Sequence, residues 1–284
     1  MKNKVLGNII NYSVMIAVVL IYVSSAGAFQ LLFNATPVMS MIFADSIIAV
    51  LCGGLYFLLK KKGVFSSDKP EMTKKSVFGQ LGVFLFVTVT VLMIFYWISI
   101  YFPDPTMEHR ENSIAKDSVT TYVIMSCIFA PIAEECMMRL FLYNLCKTKS
   151  DWVVSMIVTG LVFALMHGTI SHIITGTIFA VFMTLSYENT GRWYFPIIGH
   201  MIYNFTAIFG AGYLGTMARV TPLVICLVLV LLVIMLQQMV PVLSKYAEPV
   251  EKVKNVTITK QANTYNPYVN VKSGRYGKRN NRKR

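Results

Sequence analysis

Glu134, His167, His200 and Asn204 are polar residues set into apolar stretches of the chain. A charge at the centre of a transmembrane helix costs roughly 2.5–3.5 kcal/mol on insertion scales, so such residues persist mainly where they are paired or functional. The four side chains together form a hydrolytic set. A carboxylate can take a proton from water, imidazoles can hold that water, and an amide N–H can stabilise the oxyanion of a tetrahedral intermediate. Glu134, His167 and His200 also match a catalytic zinc site with a fourth, open position. Zinc is therefore a candidate cofactor, and the spacing alone does not choose between a metal site and a metal-free water cradle.

Helical geometry separates the two adjacent acids. Glu135 and Arg139 are four residues apart, share a face and can pair, which lowers the cost of both charges in lipid. Glu134 lies about 100° further round and is left for another task. Pro131 cannot donate a backbone hydrogen bond, so a kink is expected just before the pair. Phe163 sits one turn before His167, and His200 and Asn204 share a face. Asp45 has no evident partner and is read as structural or protonated. His172 at a loop edge and His109 in a charged loop are not favoured. There is no HExxH, GxSxG or Walker pattern.

The elements that must position these residues follow from composition. Hydrophobic residues make up 55% of the 284 residues and charged residues 14%, against roughly 25% charged in soluble domains. This excludes a soluble enzyme, a disordered chain and a nucleic-acid-binding globule. An all-α, polytopic membrane bundle is expected, because each crossing needs about 20 apolar residues. Eight apolar segments are visible, at about 9–33, 37–59, 77–102, 118–146, 152–167, 172–188, 194–212 and 220–243. They group into N-terminal helices (1–117), a catalytic part (118–246) and a basic tail (247–284). Lys2, Lys4 and Ala26-Gly27-Ala28 resemble a signal peptide with a small-residue cleavage site. Apolar residues continue to Phe33, which favours a retained span. Gly160/Ala164 and Gly176/Ala180 are small-residue pairs suited to close helix packing. The five cysteines show no CxxC spacing, so neither a disulfide framework nor a zinc finger is expected.

Basic residues occupy alternate connections. Lys60, Lys61, Lys62, Lys69, Lys74 and Lys75 follow the second segment, Lys147 and Lys149 the fourth, and Arg192 the sixth. The 103–117 connection has two basic and four acidic residues. By the positive-inside rule both termini are cytoplasmic and the protein is a multi-pass cell-membrane protein. Net charge is +13, and the stretch from Lys245 to Arg284 holds eleven basic and two acidic residues. That tail is expected to be disordered, either solvated and reinforcing the cytoplasmic orientation or lying on anionic lipids of the inner leaflet. No nucleic-acid partner is expected.

Glu134-Glu135-x-x-x-Arg139, Phe163-x-x-x-His167 and His200-x-x-x-Asn204, in that order on successive apolar segments, resemble the CPBP family. These are the CAAX-protease and bacteriocin-processing intramembrane proteases, also called Abi proteins. The resemblance covers about residues 118–212. It implies an eight-helix intramembrane endopeptidase similar to type II CAAX prenyl endopeptidases, acting on a membrane-associated peptide in maturation or bacteriocin self-immunity. It further implies that Glu134 activates water and His167 positions it. His200 and Asn204 would support the oxyanion, with Glu135, Arg139 and Phe163 as structural support. Both metal-dependent and glutamate-dependent mechanisms are associated with the family. Two competing classes are an inactive scaffold regulating an envelope or sensor protein, and a transporter. Costly polar groups in lipid argue against the first, and the scarcity of polar residues in the first three segments argues against the second.

Overall fold

The computed structural model describes residues 2–65, 74–103 and 118–247. His109 and the tail beyond residue 247, with their expected roles, lie outside the described residues. Met1–Val240 forms one compact unit. A second unit spans Pro241–Arg284, and its described part, residues 241–247, is helical.

Among the described residues all regular structure is helical. In chain order the elements are α1 (Lys2–Phe33), α2 (Pro37–Lys61), α3 (Lys74–Tyr101), α4 (119–147), α5 (Trp152–Leu165), α6 (Ile170–Thr190), α7 (Tyr194–Phe209), α8 (Ala211–Met217) and α9 (Thr221–Ala247). Each of the eight apolar segments is helical. By length and apolarity five helices among the described residues can cross a membrane, or six when the bent pair α7 and α8 counts as one span. The difference from eight has local causes. Helix α5 has only 14 residues, and α4 is interrupted by π-helical turns. Helix α1 is unbroken through Ala26–Ala28.

The α7–α8 pair bends by 81°. Gly210 sits at the bend, where a Cβ would stand 2.6 Å from the Thr206 carbonyl oxygen. Only glycine fits that approach.

Helix α4 alternates in hydrogen-bond pattern. Met125–Phe129 and Cys136–Tyr143 are π-helical, and Ala130–Glu135 between them is α-helical. The first π stretch lies just before Pro131, where the sequence calls for a kink. Pro131 lacks an N–H and its ring crowds the preceding turn, so the turn widens. Here the Ala130 N–H bonds back to the Met125 carbonyl. The second π stretch has no proline to announce it.

Helices α5 and α6 pack through small residues, as their spacing suggests. A Cβ on Gly160 would lie 3.4 Å from the Ala180 Cβ, and one on Gly176 would lie 3.4 Å from the Ala164 Cα. This close approach brings the end of α5 and the start of α6 beside α4.

Candidate active site

Five helices converge on a cavity of about 170 Å³. Helix α4 contributes Tyr122, Ser126 and Glu134, and the end of α5 contributes Phe163 and His167. Helix α6 adds His172, Thr175 and Phe179, helix α7 adds His200, Tyr203 and Asn204, and α3 supplies Leu92, Phe95 and Tyr96. The four sequence-derived candidates thus share one cavity.

The two acids divide as their helical phase requires, because both sit in the α-helical part of α4. Glu134 lines the cavity and is its one acidic lining residue among the described residues. Its side chain is 13% exposed, and its Oε2 lies 3.7 Å from His200 Nε2. Glu135 is fully buried behind it. Arg139 donates to Glu135 Oε1 at 3.0 Å and to the Ala180 carbonyl at 3.3 Å. Its guanidinium lies over the Phe163 ring, 4.9 Å from the centroid. Glu135, Arg139 and Phe163 therefore tie α4 to α5 and α6.

Glu135 has a second partner that sequence spacing does not reveal. His200 Nδ1 donates to Glu135 Oε1 at 2.8 Å. Because a carboxylate only accepts, that bond fixes the hydrogen on Nδ1 and turns Nε2 toward Glu134. His167 is oriented in the same way. Its Nδ1 donates to the Phe163 carbonyl at 2.9 Å, so in the neutral ring Nε2 is the acceptor. Gly168, at φ +76, then reverses the chain directly after it. A positive φ is easy only for glycine, and this turn leads from α5 into α6.

That reversal also brings in His172, which its loop-edge position had argued against. The His167 and His172 rings stack with centroids 5.6 Å apart and 17° between planes. His172 Nδ1 is hydrogen-bonded to the Thr169 hydroxyl at 2.8 Å. Thr169 is also the N-cap of α6, and this Thr-x-x-His pattern was the available signal. Tyr203 follows His200 by three residues, so its place on the same face was equally readable.

Asn204 Nδ2 donates to the Ser126 carbonyl at 2.7 Å. Since a carbonyl only accepts, the amide orientation is fixed. In the π-helical register of this stretch, that carbonyl would take the N–H of residue 131. Pro131 has none, and the Asn204 amide fills the gap. An amide nitrogen has two hydrogens, and Asn204 also lines the cavity. Asp45 also has a partner: Tyr22 donates to its Oδ1 at 2.8 Å within the core.

A metal needs convergent ligands at close range. Among the described residues no group of three or more His, Cys, Asp or Glu side chains is gathered so as to hold an ion. Glu134, His167 and His200 line the cavity without forming such a group, so this geometry does not fit the zinc site.

Residues 116–206 match the family model described as type II CAAX prenyl endopeptidase Rce1-like. The matched stretch contains Glu134, Glu135, Arg139, Phe163, His167, His200 and Asn204. The matched family is of the kind that the motifs resemble, the CAAX-type intramembrane proteases. With the apolar helices it supports a multi-pass membrane protein. No curated protein and no solved structure matches the chain.

Proposed function

We propose that the protein is a glutamate-dependent intramembrane endopeptidase that cuts a membrane-associated peptide or protein precursor. One observation carries this reading. Glu134, the one carboxylate lining the cavity among the described residues, faces the Nε2 of a histidine whose other nitrogen is held by a buried carboxylate.

In this mechanism a water donates hydrogen bonds to Glu134 and to His167 Nε2. Glu134 takes its proton as the water oxygen attacks the scissile carbonyl carbon. The new oxyanion receives the free Asn204 N–H, and His200 adds a donor at Nε2 when it is in the imidazolium form. The intermediate collapses by breaking the C–N bond. Glu134 passes its proton to the leaving amine and returns to the carboxylate. The products are a new carboxyl terminus and a new amino terminus. The aromatic walls of Phe95, Tyr96, Phe179 and Tyr203 suit an apolar substrate side chain and exclude bulk water. Peptide maturation and bacteriocin self-immunity are the roles that fit such an activity.

Comparative mass spectrometry of secreted and membrane-bound peptides tests this reading. Wild-type cells are expected to contain cleavage products that are absent from cells carrying Glu134→Ala. Identical peptide sets at equal protein abundance would contradict it.

A further inference from the structure

The two ends of the bundle differ in packing. The cavity walls lie toward one end of the bundle. These are the last third of α3, α4 from its start to Glu134 near its middle, the end of α5, the first half of α6, and α7 from His200 near its middle onward.

The opposite end is sealed by buried side-chain hydrogen bonds. Tyr143 donates to Glu188, and Asn144 donates to the Tyr187 hydroxyl. Tyr56 and Tyr187 share a hydrogen bond, Lys147 pairs with Glu188, and Gln80 donates to Ser186. Tyr56, Tyr143, Asn144, Tyr187 and Glu188 are all buried. A substrate chain has no ready entry there.

Charge distinguishes the same two ends. The stretches of sequence that join α2 to α3, α4 to α5 and α6 to α7 carry Lys60, Lys61, Lys62, Lys69, Lys74, Lys75, Lys147, Lys149 and Arg192. The stretches of sequence that join α3 to α4 and α8 to α9 carry Arg110, Lys116 and Arg219, with Asp104, Glu108, Glu111 and Asp117 near the first two in sequence. Short connections rich in Lys and Arg stay in the cytoplasm. The sealed end is therefore the cytoplasmic one.

We infer that the Glu134 cavity opens on the extracytoplasmic side of the membrane and that its substrates are peptide segments presented at that outer surface. This inference rests on the proteolytic reading for the word substrate, while the facing of the cavity stands independently. A peptide synthesised in the cytoplasm would reach the site only after export or insertion. The reaction class that supplies the substrate is therefore translocation of a precursor, and the released product is already outside the cell.

Cysteine accessibility tests the facing. The parent is Cys226→Ser, since Cys226 is exposed and the other four cysteines are buried. Ile208→Cys reports on the cavity wall and Lys149→Cys on the sealed end. With a membrane-impermeant maleimide, Ile208→Cys is expected to react in intact cells as fully as in permeabilised ones. Lys149→Cys is expected to react only after permeabilisation. The reverse pattern would overturn the inference. Mapping cleavage sites in the peptides lost from Glu134→Gln cells separates the two readings. Sites in extracytoplasmic segments support both. Sites confined to cytoplasmic segments overturn the inference and keep the protease. Outward labelling with no change in peptides overturns the protease and keeps the facing.

Discussion

The Asn204 amide donates to the Ser126 carbonyl across the α4–α7 contact, at 2.7 Å. Pro131 keeps that carbonyl open, because it brings no N–H to the widened turn. If Asn204 were only a filler for this gap, Pro131→Ala would make it dispensable. As an oxyanion donor it is needed in either background. Asn204→Ala is expected to lower kcat about 10²–10³-fold, the usual cost of losing one such donor. The same loss is expected on top of Pro131→Ala. A loss that vanishes in the double variant would assign Asn204 to the backbone alone.

Glu135 accepts from both Arg139 and His200 through one oxygen. Breaking a buried ion pair by removing one partner costs about 3–5 kcal/mol. Glu135→Gln and Arg139→Leu are both expected to lower the detergent-solubilised melting temperature clearly. Glu134→Gln, which leaves that pair intact, is not. Equal melting of Glu134→Gln and Glu135→Gln would erase the distinction between the two acids.

Gly199 precedes His200 and lies under a buried aromatic ring. A Cβ there would approach Phe84 Cε1 to 2.7 Å. Phe84 is itself wedged between Phe182 and Phe195. Gly199→Ala is expected to cost about 1–3 kcal/mol by overpacking and to reduce cleavage by pushing His200 away from Glu135. Phe84→Leu in the same chain is expected to restore part of both. A Gly199→Ala protein with wild-type melting and cleavage would refute this packing.

The candidate metal ligands share a cavity without forming a group that could hold an ion. Purified active protein is expected to contain metal well below one ion per chain by elemental analysis, and cleavage is expected to survive a chelator. One tightly held zinc per chain, with chelator-sensitive cleavage restored by zinc, would establish the metal site instead.

What could be read from the sequence was local. Glu135 with Arg139, and His200 with Asn204, are four residues apart, and helix geometry alone puts each pair on one face. Glu134 takes the phase its spacing gives because residues 130–135 stay α-helical. Partners distant in the chain were not legible. His200 meets Glu135 from 65 residues away and Asn204 meets Ser126 from 78. Tyr22, which holds Asp45, reads as one more interior residue of an apolar span. The π-helical stretches were hidden as well. Their hydrogen-bond register depends on what packs against α4, and only the first has a proline to mark it. The place of His172 depends on a tight reversal at Gly168, which linear spacing from a helix cannot express.

The central claim is that Glu134 is the base of a peptide hydrolase. The most direct measurement compares wild type and Glu134→Gln, both purified and reconstituted, on a peptide identified from the wild-type cellular products. The account expects cleavage by wild type and none by Glu134→Gln, with the two proteins melting alike. Wild-type rates from Glu134→Gln would contradict it and move the chemistry away from this carboxylate.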